Sequence, residues 1–217
     1  MEKTCEEVTC EKLRELILNN RLPQGEFLSQ RKLAEAVGAT IVTLRSSLRL
    51  LENDGLIENV PKWGVRIPVE TEAEIRDRYY FRELIEVGAV SKMLEVNPPR
   101  AREILMEKAR FCDSLKPDGE AAVRDFANAH MELHLAITRL SGNRYLENEL
   151  ARINFRSMML SNAKRGWEMY RGLEEPDYHQ NFVRKLFDSS CEEALDVVRE
   201  HIRRGCSYEL KVLEPEK

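Results

Sequence analysis

The sequence predicts a mainly α-helical protein in two parts. Residues 1–70 read as a winged helix-turn-helix, three helices plus a β-hairpin, and residues 71–217 as an all-α bundle of about six helices. Three observations predict it. Period-2 signals are confined to the stretch from Leu56 to Pro68. Apolar residues recur at spacings of three and four through most of the rest. Ten Gly and eight Pro in 217 residues are too few for long flexible linkers.

In the first part, Val8, Leu13, Leu16 and Ile17 mark a helix over residues 6–20. Leu22-Pro23-Gln24-Gly25 reads as a turn. Ser29 is a good N-cap for a second helix that buries Leu33, Ala34 and Val37, and Gly38 closes it. Thr40 can cap a third helix to about Asn53, with Ile41, Leu44, Leu48 and Leu51 facing inward. Asp54-Gly55 turns the chain into two short strands, Leu56–Val60 and Val65–Pro68, joined by Pro61-Lys62-Trp63-Gly64. The third helix is then the one that enters a DNA major groove. Its outward residues are Thr40, Thr43, Arg45, Ser46 and Arg49, and the two arginines lie one turn apart.

After a short connector, residues 72–96 form a long helix with Ile75, Tyr79, Leu84, Ile85, Ala89, Val90, Met93 and Leu94 as its apolar positions. Asn97-Pro98-Pro99 breaks it. Arg100–Leu115 and Glu120–Ser141 follow, the latter stopped by Gly142-Asn143. Tyr145–Lys164 is a further helix with Leu146, Leu150, Ile153, Met158 and Leu160 as core candidates. Glu168–Leu173 is short or irregular, and residues 177–187 and 191–213 are the last two helices.

Chemistry concentrates in the helix ending at Ser141. Phe126, His130, Leu133, His134, Ile137 and Leu140 share one stripe, so two imidazoles one turn apart point inward. Two readings stand: neutral core histidines bonded to hydroxyls or carbonyls, or a divalent metal that removes the cost of desolvating two polar rings. The remaining histidines, His179 and His201, lie in helical segments. Arg82 and Glu86 sit on or beside the inward face of the long helix. Either Glu86 satisfies Arg82, or Arg82 grips an effector carboxylate. Tyr79 and Phe126 read as core.

Totals set limits. No apolar run approaches the roughly 20 residues that span a bilayer, and the N-terminus is too acidic and polar for a secretory signal. A cytoplasmic protein is expected. Five cysteines without a CxxC pair fit free thiols. The net charge is −4, and residues 1–70 carry ten Lys and Arg against eleven Asp and Glu, so any DNA-binding surface is a local patch.

The chain resembles the GntR family of bacterial transcription regulators, in its FadR-like subgroup, which joins a winged helix to an all-helical FCD effector domain. The resemblance rests on Leu33-Ala34-Glu35-Ala36-Val37-Gly38, on Leu44-Arg45 and Leu48, on Leu51-Glu52-Asn53-Asp54-Gly55-Leu56-Ile57, and on Trp63-Gly64-Val65. In the second part it rests on Arg82-Glu83-Leu84-Ile85-Glu86, on His134 eight residues before Gly142, and on the 22-residue interval from His179 to His201. The resemblance implies a divalent metal held by His130, His134, His179 and His201. Position 130 usually carries Asp in the family; His130 favours Zn or Ni over oxygen-preferring cations. It also implies an effector cavity lined by Arg82 and Glu86, with Asn154 and Arg156 as further candidates. It implies DNA contacts from Arg31, Thr40, Thr43, Arg45 and Arg49, with Lys62 and Gly64 at the wing tip. Ile41 stands where the family usually has a basic residue.

The expected function is a ligand-responsive regulator: a homodimer on a two-fold symmetric double-stranded DNA operator, released when a small carboxylate metabolite binds at the metal, hence a repressor. The alternatives are a regulator with a purely structural metal and a metal-dependent hydrolase. The sequence offers the second no general base beside the histidines, because Asp125 is five residues from His130 and Glu132 faces away. A non-enzyme is therefore expected.

Overall fold

The computed structural model describes residues 3–18, 21–96, 98–115, 120–161 and 177–213. The chain divides into two compact units, one comprising Met1–Glu70 with Met158–Ala163 and the other Thr71–Ser157 with Lys164–Lys217.

In the first unit, α1 (Cys5–Leu18) packs on α3 (Ile41–Asn53), which also carries α2 (Gln30–Val37). Leu13, Ile17, Leu33, Val37, Leu44, Leu48, Leu51 and Leu56 form the core. Gly38 ends α2 in the left-handed conformation, with φ 67° and ψ 38°, which Gly adopts without a Cβ clash. Thr40 then caps α3 by accepting from the Thr43 amide at 3.1 Å. The hairpin pairs β1 (Glu58–Val60) with β2 (Gly64–Arg66), and Asn59 faces Val65 across it.

Three expectations in this unit change. The turn around Gln24 is the start of a third pairing edge. Leu28 and Val65 exchange backbone hydrogen bonds at 2.6 and 3.1 Å, and Gly25 donates to the Ile67 carbonyl at 2.9 Å. Ile41 is 36% exposed rather than inward. As the first residue of α3 it precedes the buried stripe that starts at Leu44, so no neighbour covers it. Val8 is likewise exposed; α1 buries Thr9, Cys10, Leu13 and Ile17 instead.

The second unit is helical among its described residues: α4 (Glu72–Val96), α5 (Pro98–Ser114), α6 (Glu120–Leu140), α7 (Arg144–Ser161, of which this unit takes the residues to Ser157), α8 (Tyr178–Asp188) and α9 (Cys191–Leu213). The helix α4 packs on α9 and α6, while α5 packs on α6 and α8. The core joins Ile75, Tyr79, Val90, Met93, Leu105, Leu133, Ile137, Phe182, Val183, Val198 and Ile202. Pro98 opens α5, where its missing N–H is no loss. Asn143 both follows the left-handed Gly142 and caps α7, accepting from the Tyr145 amide at 3.0 Å. Leu84 does not join the core. It is 55% exposed beside exposed Tyr80 and Phe81, because α4 turns Ile85, Glu86 and Ala89 inward. Met158, Leu160 and the segment Glu168–Leu173 fall outside the described side chains or residues.

Candidate metal centre

On the stripe predicted along α6, Phe126, Leu133, His134 and Ile137 are buried and His130 and Leu140 half-buried, and its two imidazoles meet a third from α9. Nε2 of His134 lies 3.0 Å from Nε2 of His130 and 3.1 Å from Nε2 of His201. His130 and His201 stand 3.4 Å apart through the same atoms. Two imidazole nitrogens on one Zn at about 2.0–2.1 Å would be about 3.3 Å apart in tetrahedral geometry and about 3.0 Å apart as cis neighbours on an octahedral ion. The three nitrogens thus already have the spacing of one coordination sphere, and their ligand atoms form a group able to hold a metal.

His179, on α8, completes the ring without joining that tight trio. Its ring centroid is 4.9 Å from that of His130. Its Nε2 is buried and has no hydrogen-bond partner. A buried unpaired nitrogen is costly unless something accepts its lone pair, so the donor set fits a metal ion. The walls are aromatic: Phe182 lies 4.4 Å from His201 and Phe126 5.8 Å from His179, centroid to centroid.

Three of the four rings are held from behind through Nδ1. Glu86 Oε2 meets Nδ1 of His134. Asp113 Oδ1 meets Nδ1 of His179 at 2.7 Å. The Tyr178 hydroxyl lies 3.0 Å from Nδ1 of His201. Burial pushes the pKa of His130 and His201 well below the ordinary imidazole value, and the neighbouring imidazoles add to it. Burial lowers His134 as well, against the opposing pull of Glu86. Burial would raise Glu86, but the Arg82 charge, the pull of His134 and the hydrogen bonds of both together outweigh it and hold it at about 2. The Glu86–His134 contact is therefore a hydrogen bond from a neutral imidazole to a carboxylate, with Arg82 as the counter-charge.

Glu86, expected on or beside the inward face of the long helix, stands against His134, a contact that spacing alone does not reveal because α4 reaches α6 only in the folded bundle. Both Glu86 oxygens are taken, Oε1 by Arg82 and Oε2 by His134, and the side chain is fully buried. Arg82 also lies 5.8 Å from the Tyr79 ring. The side chains of Asn154 and Arg156 fall outside the described ones. Asp113 and Tyr178 were not singled out by sequence. Tyr178 adjoins a histidine, while Asp113 is 66 residues from its partner.

On the first unit, Thr40, Arg45, Arg49, Arg31 and Lys62 are exposed, while Thr43 and Gly64 are half-buried. Arg45 donates to the neutral Gln30 at 3.1 Å, but Arg31 is paired with Glu35 at 3.2 Å. The wing carries Trp63, 70% exposed and packed on Phe27 at 5.5 Å. Lys62 takes a left-handed φ of 70° at its tip.

Residues 6–67 match the family described as bacterial regulatory proteins, gntR family, and residues 77–204 match the FCD domain. Over 135 residues the chain is 29% identical to an uncharacterized HTH-type transcriptional regulator from an unstable DNA locus of Streptomyces ambofaciens, covering 61% of this chain and 54% of that protein. It is 25% identical over 142 residues to the uncharacterized HTH-type transcriptional regulator YdhC of Bacillus subtilis (strain 168), covering 65% and 63%. The chain thus spans less than two thirds of the length of these curated relatives. The solved structure of McbR/YncC from E. coli has the same fold, with a TM-score of 0.70 at 16% identity over 97% of this chain and 99% of that one. A helix-turn-helix with its hairpin wing, followed by the histidine-bearing bundle that the FCD model spans, places the chain in the gntR family of bacterial DNA-binding transcription regulators, in the form that carries an FCD domain.

Proposed function

We propose that the protein is a repressor whose grip on DNA is set by a divalent metal and a small carboxylate in its helical unit. The carrying observation is the convergence of three Nε2 atoms at 3.0–3.4 Å with a fourth, buried and unpartnered, at His179. Four neutral nitrogens suit Zn or Ni. When bound, such an ion supplies an open coordination position and a positive charge for an effector carboxylate. Arg82, anchored through Glu86, is a cationic side chain whose charge is felt at the histidines, and Asn154 and Arg156 remain proposed effector contacts. Domain limits near residue 70, a homodimer and a two-fold operator belong to the same reading. The exposed Tyr80, Phe81 and Leu84 offer an apolar face for the homodimer.

The effector acts only through its different affinity for the DNA-competent and DNA-released arrangements. The test pairs metal analysis of the purified full-length protein with a carboxylate thermal-shift screen, followed by gel shifts on genomic fragments. Bound Zn or Ni, a raised melting midpoint with one carboxylate, and loss of the shifted DNA band with that compound are expected. Sequence-independent DNA binding at every ionic strength would sink the regulator reading. A purely structural ion is favoured by the burial of His134 and His179. It predicts that a chelator lowers the midpoint while no carboxylate raises it.

A further inference from the structure

We propose that Asp113, Tyr178 and Glu86 are positioning residues that lock His179, His201 and His134 with Nε2 turned to one ion, and that Asp113 supplies the negative charge absent from the ligands themselves. The inference rests on the metal reading above and deepens it. A bare imidazole can turn either nitrogen inward. A hydrogen bond from Nδ1–H fixes the ring, leaves the lone pair on Nε2, and makes that nitrogen a better donor. Here the partners are not local by-products of a helix. Glu86 reaches from α4 to α6 and Asp113 from α5 to α8, across 48 and 66 residues of sequence.

Asp113 is the most committed of the three. Its Oδ1 accepts from the His179 amide at 3.0 Å and from the His179 ring at 2.7 Å, and its Oδ2 accepts from the Gln180 amide at 3.0 Å. It does the capping that Asp177, at the N-cap of α8, leaves undone. Three N–H groups aimed at its two oxygens, two of them backbone amides that can only donate, are the surroundings of an ionised carboxylate. The Glu86 charge is already shared with Arg82. That leaves Asp113 as the carboxylate whose charge is felt through a ligand. Four neutral nitrogens around a divalent ion carry no compensating charge, and a carboxylate one imidazole away restores part of it.

The experiment uses the full-length protein, stripped with a chelator and titrated with Zn(II) against a chromophoric chelator. Parallel Co(II) loading reads the visible ligand-field spectrum. Asp113→Ala is expected to weaken Zn(II) binding about ten- to a hundred-fold and to alter the Co(II) spectrum. Asp113→Asn, which keeps the shape and an acceptor, is expected to regain part of the loss. Tyr178→Phe removes one hydroxyl and is expected to act in the same direction, less strongly. In a His179→Ala background, Asp113→Ala is expected to cost no more than about twofold, because it acts through the ring already removed. A role confined to capping α8 would leave that cost undiminished, which would overturn the proposal. Wild-type affinity in both Asp113→Asn and Tyr178→Phe would overturn it too, even if Asp113→Ala failed to fold. Failure of the wild-type protein to take up Zn(II) sinks the metal reading and this inference together, whereas uptake unaffected by the variants sinks this inference alone.

Discussion

At the scale of single residues, Gly64 and His130 show how one position can be legible in type and opaque in cause. Gly64 reads from sequence as the last residue of a hairpin turn. The structure adds that its φ is 107° and that a Cβ there would sit 2.6 Å from the Leu28 carbonyl oxygen. That neighbour comes from a stretch whose pairing with β2 no local pattern announces. Gly64→Ala is therefore expected to destabilise the first unit by about 1–3 kcal/mol, read by urea unfolding of the full-length protein. A variant as stable as wild type would mean that the Leu28–Val65 pairing gives way at no cost. His130 raises a matter of donor type. Its half-buried ring contributes one of three converging nitrogens. His130→Asp is expected to move metal preference from Zn towards Mn in competition assays, with the far-ultraviolet circular dichroism unchanged, because oxygen suits the harder ion.

At the scale of elements, periodicity located the helices, and with them the face of α6 that carries two of the metal candidates. Burial of Phe126, Leu133, His134 and Ile137 follows directly from spacings of three and four. What spacing could not give is which helices face each other, so Asp113, Tyr178 and the partnership of Glu86 with His134 came to light only in the packed bundle. Helix starts held a further readable signal. Thr71 with Glu74 and Ser190 with Glu193 form reciprocal capping boxes at α4 and α9, with amide-to-carboxylate bonds of 2.7 and 2.8 Å. Packing three imidazoles from α6 and α9 together has a pH consequence. The folded protein depresses His130 and His201 below the ordinary value of 6.5, first by burial and then by mutual repulsion. Below about pH 6.5 the unfolded chain takes up protons that the folded one refuses, so the stability present above that pH is lost as pH falls. The chelator-stripped protein should melt at progressively lower temperature from about pH 7.5 to about pH 5.5, and an unchanged midpoint would contradict the neutral, buried state of these rings.

At the scale of the whole molecule, charge decides how DNA can be held. The chain carries a net charge of −4, and its first 70 residues have no basic excess, so a diffuse electrostatic grip is unavailable and a few side chains must supply it. Four of the ten basic residues there are ion-paired: Lys3 with Glu11, Arg14 with Asp54, Arg31 with Glu35 and Arg66 with Glu58. Arg45 is held by Gln30, which orients the guanidinium without neutralising it, and it projects from the exposed side of α3 with Arg49 one turn on. These two arginines should therefore dominate. Arg45→Ala is expected to weaken operator binding by about 1–3 kcal/mol if it reads a base, with relaxed sequence preference at one position. If it meets only phosphate, affinity falls evenly across sequences and the slope of log affinity against log salt drops by about 1. Arg31→Ala should cost less, because Glu35 already offsets its charge. Fluorescence anisotropy on a selected operator and a scrambled duplex, at several salt concentrations, separates these outcomes. Equal losses for Arg31→Ala and Arg45→Ala would show that the ion pair opens on binding and that α2 shares the contact with α3.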